Sequence, residues 1–282
     1  MGTLFVVATP IGNLEDISLR ALRVLREASL IAAEDTRHTH RLLAHYDIPT
    51  RMTSYFEHNK LAKLDAVLEA LSTGDVALVS DAGTPGLSDP GYELVRAAIS
   101  AGHSVAPIPG PSAITSALVV SGLPTDQFVY VGFLPRRAGE RRRLIRGWRE
   151  ERRTLVCFEA PHRLCDTLAD IATELGDRPV AVCQELTKLY ERVFRGPVSD
   201  AIAHFAAEPP RGEYTLVVGG ATDAEPPATA EEVDACLSRL LAETTSTREA
   251  VDRARLELHI DRRTLYRRAH ELVQGTEQRG NM

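Results

Sequence analysis

The sequence has few cysteines and no long apolar run. Its four cysteines form no CxxC pair and show no zinc-ligand spacing, so we expect buried, reduced thiols and no metal. No segment approaches the roughly 18 apolar residues that a membrane-spanning helix needs. The chain also opens on a strand-like segment without an apolar leader. We therefore expect a cytoplasmic protein that does not use a membrane.

The common phosphate-binding motifs are missing as well. Neither G-x-x-x-x-G-K-[ST] nor G-x-G-x-x-G occurs, which disfavours kinase and dehydrogenase chemistry. The formal net charge of -6 argues against indiscriminate binding of nucleic acid. A composition that is 44% hydrophobic and 26% charged is ordinary for a globular protein, and 282 residues suffice for two domains with cores.

The chain does contain three loops rich in glycine and proline. Each follows an apolar strand pattern and precedes a helix pattern; we name them the first loop (9–13), the second loop (79–91) and the third loop (109–113). Ligands of parallel sheets bind at the carboxyl ends of strands, so we expect the three loops to face one crevice. Asp89 and Ser112 are predicted to cap the helices that follow.

The loops contain no lysine or arginine, but they include Asp81. Small residues, backbone carbonyls and an acid suit a ligand with positive and hydroxyl groups, such as a sulfonium, an ammonium and a ribose. A loop-capping role is the alternative for Asp81.

Strand and helix patterns alternate along the first three quarters of the chain. Strands near 4–8, 30–33, 76–79 and 104–108 predict a doubly wound parallel sheet, and four more strands between 128 and 218 predict a second α/β domain. A polar segment with two prolines then precedes helical residues. We predict domains at 1–125 and 126–220, a linker at 221–232 and a helical region at 233–282.

Two segments are rich in arginine. Residues 136–153 hold nine arginines against three glutamates, and Arg262, Arg263, Arg267 and Arg268 lie near the C-terminus. Such segments either form solvated helix faces or bind an anionic polymer, because arginine pairs bidentately with phosphate. The C-terminal segment has the layout of a helix-turn-helix, although a capping helical hairpin fits it equally well.

Six motifs resemble one known family in order and register. They are TPIGNLED (9–16), AEDTR (33–37), SDAGTP (80–85), PGPSA (109–113), FEAPHR (158–163) and ELTK (185–188). The chain resembles, over residues 3 to about 220, the methyltransferase I family of small-subunit ribosomal RNA enzymes, a branch of the tetrapyrrole methylase superfamily. Relatives that act on tetrapyrroles usually carry Gly-Asp-Pro in the second loop, which this chain lacks.

The resemblance implies two α/β domains of the class III S-adenosylmethionine methyltransferase type, with the cofactor in the cleft, and a homodimer. The implied reaction transfers a methyl group from S-adenosylmethionine to the ribose 2′-hydroxyl of a cytidine in the decoding region of 16S ribosomal RNA, free or in the assembled 30S subunit. A tetrapyrrole methyltransferase and a cofactor-sensing regulator that binds nucleic acid remain alternatives.

The resemblance also implies site residues. It assigns the cofactor to Pro10, Asp81, Ala82, Gly83, Thr84, Ser112, Ala113 and Phe158. For catalysis we expect a polar group of Lys188 as base with Glu185 and Asp35, while Arg37 holds a phosphate; a salt-bridge cluster between the domains is the alternative. The family's usual arginine before Glu185 is Gln184 here, so this chain lacks the contact with RNA or with an acid that the arginine would make. Ala160 replaces a frequent serine, which removes one side-chain hydrogen bond to the cofactor.

Contacts with RNA are predicted from the first arginine-rich segment and from one histidine. The predicted set is Arg136, Arg137, Arg141, Arg142 and His58. An ordinary helix cap at Asn59 is the alternative explanation for the polar residues around His58. No metal is expected, because His38, His40 and His45 lack a carboxylate pattern that would complete a site.

Overall fold

The computed structural model describes residues 2–56, 60–222, 229–244, 246–258, 260 and 262–279. The chain forms two compact units, Met1–Ala221 and Thr222–Met282. The first unit contains two five-stranded sheets, and the second is helical. No helix among the described residues is long and apolar enough to cross a membrane.

The first sheet is parallel throughout, with the order β3-β2-β4-β1-β5. Its middle strand β4 is buried on both faces, which explains its uninterrupted apolar sequence VALV. The strands are β1 (Thr3–Val7), β2 (Leu30–Ala33), β3 (Met52–Ser54), β4 (Val76–Val79) and β5 (Ser104–Ile108).

Helices cover both faces of the first sheet. Helices α1 (Leu19–Glu27) and α2 (Thr36–His45) pack against one face through a core that includes Leu25 and Leu43. On the other face, α3 (Lys60–Thr73) and α4 (Tyr92–Ser100) bury Leu71 and Leu94. The sheet is therefore doubly wound.

The second sheet is mixed and has the order β6-β7-β10-β8-β9. Strands β6 and β7 run parallel, whereas β10 is antiparallel to both of its neighbours and β9 is antiparallel to β8. The strands are β6 (Phe128–Phe133), β7 (Thr154–Glu159), β8 (Pro179–Gln184), β9 (Arg192–Pro197) and β10 (Tyr214–Val218).

One face of the second sheet packs against α6 (Ala138–Arg146), α7 (Leu164–Leu175) and α8 (Val198–Ala207). The other face packs against α5 (Ala113–Ser121), the helix that follows the last strand of the first sheet. Ile11 of the first loop joins the same core beside α5. A continuous apolar contact therefore connects the two sheets within the first unit.

The second unit has its own core. It consists of α9 (Ala230–Glu243), α10 (Thr247–Leu258) and α11 (Arg262–Arg279), and its buried side chains are drawn from these three helices alone. Helix α9 starts with a capping box, in which Thr229 accepts a hydrogen bond from the backbone N–H of Glu232 and the Glu232 carboxylate accepts one from Thr229.

The predicted α/β class with two sheets and a helical C-terminal region is confirmed. Two strands were not predicted: β3 is only three residues long, and β9 carries arginine and glycine instead of an apolar pattern. All four cysteines are free, but Cys165 is exposed and Cys236 half-buried, so the expectation of burial is wrong for these two.

Gly220 marks a close approach of two backbone segments after β10. A Cβ atom built there would lie 1.8 Å from the backbone carbonyl oxygen of Arg152. A backbone atom cannot rotate away as the end of a side chain can, so the clash would persist. Gly139 in α6 has no atom within 4 Å of such a position.

We expect Gly220→Ala to lower the free energy of unfolding by about 1–3 kcal/mol, because the added methyl group overpacks a fixed backbone. Gly139→Ala is the control, expected to raise stability by up to about 1 kcal/mol through helix propensity. Urea denaturation of both variants measures the difference. Equal stability of Gly220→Ala and the parent protein would contradict the packing described here.

Candidate active site

The first and second loops are joined by backbone hydrogen bonds beyond the ends of β1 and β4. The Thr9 N–H donates to the Gly83 carbonyl at 2.9 Å, and the Gly83 N–H donates to the Thr9 carbonyl at 3.0 Å. Gly83 adopts a φ of 75°, which favours glycine. The Thr9 hydroxyl also donates to the Ser80 carbonyl at 3.1 Å. These contacts hold the second loop over the carboxyl edge of the first sheet.

A cavity of about 460 Å³ lies between this edge and the second sheet. The second and third loops line it on one side, with Ile11 of the first loop, and the ends of β6 and β7 and the start of β10 line it on the other. Its size is typical of a small-molecule site. No lysine or arginine occurs among the described residues that line it.

Seven of the eight residues predicted to bind a cofactor line this cavity. They are Asp81, Ala82, Gly83, Thr84, Ser112, Ala113 and Phe158. Pro10 is buried and does not line it, whereas its neighbour Ile11 does. Three distant parts of the chain therefore meet as the loop pattern predicts.

The predicted helix caps differ from those observed. Helix α4 begins at Tyr92 with Gly91 as its N-cap, so the prediction that Asp89 caps it is wrong. Ser112 does occupy the N-cap position of α5, but its side chain makes no capping hydrogen bond. Both side chains instead line the cavity.

Three carboxylates gather on one wall of the cavity: Glu34, Asp81 and Asp89. The Asp81 N–H donates to Glu34 at 3.3 Å, and an oxygen of Asp81 accepts the Asp35 N–H at 3.0 Å. Burial raises the pKa of Glu34, and the neighbouring Asp81 and Asp35 add to the increase.

Asp89 is the most perturbed of these acids. Burial, together with the negative charges of Glu34 and Asp81, raises its pKa to about 7, against a hydrogen bond from Ser80 that lowers it. Tyr130 faces the same region, where its hydroxyl lies 2.6 Å from the Ser88 hydroxyl. The burial of Asp89 depends on contacts between distant segments, so the sequence predicts only a capping role for this residue.

The opposite wall is largely apolar and aromatic. Phe158 contacts Tyr130 and Phe133 edge to face, with ring centroids 5.4 and 5.3 Å apart. Behind Phe158, the buried Glu159 accepts hydrogen bonds from Thr167 at 2.6 Å and from Arg163. The ring is thus held in a packed aromatic cluster, and the next residue of β7 is fixed by hydrogen bonds to Thr167 and Arg163.

The predicted catalytic residues separate into two groups. The Lys188 ammonium donates to Glu185 and Glu213, both at 2.9 Å, and of these three residues only Glu213 lines the cavity. Asp35 instead caps α2 and forms an ion pair with the exposed Arg37 at 2.7 Å. Hydrogen bonds from Arg37 lower the pKa of Asp35 strongly.

Lys188 lies between two carboxylates, and this arrangement determines its charge. Burial lowers the pKa of Lys188, but the hydrogen bonds with Glu213 and Glu185 outweigh it and leave the pKa above its usual value. Burial likewise raises the pKa of Glu185, and hydrogen bonds from Lys188 and the Glu213 N–H lower it by more. At neutral pH this lysine is protonated, which argues against a role as base.

The Lys188 segment also touches the first loop. A Cβ atom at Gly12 would lie 2.4 Å from Cγ of Lys188 and 3.0 Å from the Leu186 carbonyl oxygen. The ion-paired lysine is therefore packed beside the loop that closes one end of the cavity.

The arginines of the predicted RNA set have different surroundings. Arg136 and Arg137 are exposed just after β6, and Arg137 pairs with Glu140 at 3.2 Å. Arg142 is 56% exposed and bonds to Asp170 at 2.6 Å. Arg141 is buried and pairs with the other oxygen of Asp170 at 2.7 Å, so its role is to tie α6 to α7 and it has no surface to offer RNA. His58 lies outside the described residues.

Within the part of the chain that the structure describes, no three His, Cys, Asp or Glu side chains are grouped as a metal site would require. The absence of a metal stays a prediction.

The fold and the motifs agree with a known family. Residues 3–202 match the family Tetrapyrrole (Corrin/Porphyrin) Methylases, and the chain belongs to this family of methyltransferases. Solved structures share the fold. A uroporphyrin-III C-methyltransferase from Thermus thermophilus complexed with S-adenyl homocysteine has a TM-score of 0.55 at 21% identity, covering 77% of this chain and 97% of its own. The methyltransferase CobJ has a TM-score of 0.60 at 17% identity, with 78% and 95% covered.

Within this family, several curated relatives with similar sequences carry the name "Ribosomal RNA small subunit methyltransferase I". The Synechocystis protein is 46% identical over 275 residues, which is 96% of this chain and 99% of the relative. The Halalkalibacterium halodurans protein is 52% identical over 221 residues, 78% of this chain and 76% of the relative. The Thermotoga maritima protein is 50% identical over 221 residues, 78% of this chain and 99% of the relative. The resemblance noted in the motifs is thus confirmed over most of the chain.

The half-buried Asp89 generates a prediction about stability and pH. Because its pKa is raised to about 7, the folded protein keeps a proton that the unfolded chain releases above about pH 4. The contribution of this proton to the free energy of unfolding decreases as the pH rises from about 4 to about 7, and it is constant above pH 7.

We expect Asp89→Asn to raise the free energy of unfolding at pH 8 and to flatten its decrease between about pH 4 and pH 7. Part of the decrease remains in the variant, because the pKa of Glu34 is also raised. Urea midpoints at four pH values measure it, with the exposed Asp126→Asn as control. A variant whose midpoints followed those of the parent at every pH would contradict the half-buried position of Asp89 beside Glu34 and Asp81.

Proposed function

We propose that the protein transfers a methyl group from S-adenosylmethionine to the ribose 2′-hydroxyl of a cytidine in the decoding region of small-subunit ribosomal RNA. The observation that carries the proposal is the acid-lined, cation-free cavity at the strand ends of a methyltransferase fold. The names of relatives at 46–52% identity support ribosomal RNA as the substrate.

The cavity fits the proposed donor in size and chemistry. The wall of Glu34, Asp81 and Asp89 suits a sulfonium and an ammonium, because carboxylates favour positive charge and no lining cation competes with the ligand. Phe158 and Ile11 supply apolar surface for a planar base, and Ser112 offers a hydroxyl not used for capping. When bound, S-adenosylmethionine supplies an electrophilic methyl group. Pro10 takes part only by shaping the first loop.

A ribose hydroxyl must lose its proton during methyl transfer, and the residue that accepts it needs a pKa near the working pH. Asp89 has this pKa and lines the cavity, so we assign it the role of base. Lys188 is a positioning residue in this scheme, because its ammonium holds Glu213 on the cavity wall. Asp35 and Arg37 hold the start of α2 beside Asp81, and Arg37 remains exposed for a phosphate.

RNA approaches the cavity, in this proposal, past the end of β6. Phe133 lines the cavity and is 61% exposed, and the exposed Arg136 and Arg137 follow it within four residues. Arg142 of α6 adds a guanidinium group whose charge is partly neutralised by Asp170. We also propose the domain limits 1–125 and 126–220, a homodimer and a cytoplasmic location, each inferred from the sequence and its family.

Transfer of a labelled methyl group tests the function. Small subunits purified from a strain that lacks the gene are incubated with the protein and labelled S-adenosylmethionine, and the modified nucleoside is mapped. We expect one labelled cytidine, methylated at the 2′-oxygen, in the decoding region. Label on a porphyrinoid and none on RNA would reverse the assignment in favour of a tetrapyrrole substrate.

The roles of Asp89 and Lys188 are separated by their pH profiles. For the parent protein we expect kcat/KM to decrease as the pH falls below about 7, because Asp89 must be ionised to accept a proton. Asp89→Asn should lose about 100-fold in rate and this pH dependence. Lys188→Met should be slower but keep the profile, since it disturbs only the position of Glu213.

Single-turnover rates at saturating donor measure these effects on the chemical step. Full activity of Asp89→Asn with an unchanged profile would exclude it as base. Loss of the profile in Lys188→Met alone would return that role to the lysine.

A further inference from the structure

The second unit is not explained by the methyl-transfer site. Its core contains Leu237, Leu240, Val251 and Leu265, contributed by α9, α10 and α11, and it folds around these residues. Arg268 of α11 bonds to both oxygens of Asp234 on α9 at 2.6 Å, which fixes the rotation of α11 about its axis. The three helices therefore form a defined module.

The last two helices of the module follow one another closely in the sequence. Three residues separate α10 from α11, and α9 packs against both. Three helices with a short connection between the last two are the plan of helix-turn-helix domains, in which the last of these helices contacts nucleic acid.

Charge is segregated between the helices. Residues 230–243, which form α9, include four acids and one arginine. Residues 262–270, the first half of α11, include four arginines and no acid. Asp234 of α9 neutralises Arg268 of this half, so the positive charge that remains for a polyanion lies on the exposed side chains of α11.

We call these exposed side chains the α11 face. Leu265 and Ala269 are buried, whereas Arg262, Tyr266, Arg267 and His270 are exposed. Arg262 is paired with Asp252 at 3.0 Å, but both side chains are about half exposed, so the pair exchanges readily for phosphate. Arg267 forms no ion pair with any described residue, and its guanidinium is available to a partner.

One relative of the family is too short to contain the module. The Thermotoga maritima protein is covered over 99% of its length by 221 residues of this chain, and 221 residues is also the length of the first unit. A protein of this family therefore exists without room for such a module.

We propose that the second unit is an RNA-binding module, in which the α11 face of Arg262, Tyr266, Arg267 and His270 contacts the phosphate backbone of a ribosomal RNA helix and adds affinity without taking part in methyl transfer. The deep, narrow major groove of A-form RNA excludes a helix, so contacts go to phosphates and 2′-hydroxyls. The identity of the RNA rests on the proposed function.

Binding of the full-length protein to deproteinised small-subunit ribosomal RNA tests the proposal. Dissociation constants are measured by filter binding between about 50 and 200 mM salt, for the parent and for Arg267→Glu. We expect about tenfold weaker binding at low salt, and a slope of log K against log salt that is smaller by about one, because one phosphate contact is lost.

The control is Arg23→Glu, which makes the same charge change on an exposed arginine of α1. It should bind RNA like the parent. Arg267→Glu should keep the parent's thermal melting curve, affinity for S-adenosylmethionine and rate at saturating RNA. Arg267→Gln is a milder variant, and about threefold weaker binding is expected for it.

Unchanged affinity and salt slope in Arg267→Glu would overturn the inference. So would duplex DNA that competes as strongly as ribosomal RNA, since the face would then bind DNA. Loss of the rate at saturating RNA would also overturn it, because the module would then act in the reaction. These outcomes differ from failure of the proposed function, in which the parent protein itself methylates no RNA.

Discussion

The backbone pairing of Thr9 with Gly83 is the contact on which the site depends. It is an isolated antiparallel bridge beyond the ends of the parallel strands β1 and β4, and it fixes the second loop to the first above the edge of the sheet. Ile11, two residues further along, packs with α5 against the second sheet. The same short loop thus joins two cavity walls, and displacement of either hydrogen bond would move both.

The cavity combines three carboxylates on one wall with aromatic rings on the other. Without a ligand, the carboxylates on this wall repel one another. The protein reduces this repulsion by keeping Asp89 partly protonated near neutral pH. A cationic ligand relieves the repulsion, whereas a phosphate would increase it. The electrostatics therefore favour a positively charged methyl donor over a nucleotide.

Much of the fold could be predicted from sequence, because β1, β4 and β5 of the first sheet are short apolar runs followed by glycine and proline. The pattern of loops at parallel strand ends predicted that the second and third loops would meet at one edge, and the family resemblance supplied the seven individual residues that line the cavity. The raised pKa of Asp89 and the pairing of Lys188 with Glu213 could not be predicted, because both result from contacts between distant segments. Arg141 shows the same limit: its burial against Asp170 depends on how α6 packs on α7.

A crystal structure of the protein with S-adenosylhomocysteine tests the central claim most directly. The account predicts the ligand in the cavity between the two sheets, in contact with Asp81, Gly83, Ser112 and Phe158. A ligand bound elsewhere on the molecule, with the cavity filled only by water, would contradict it.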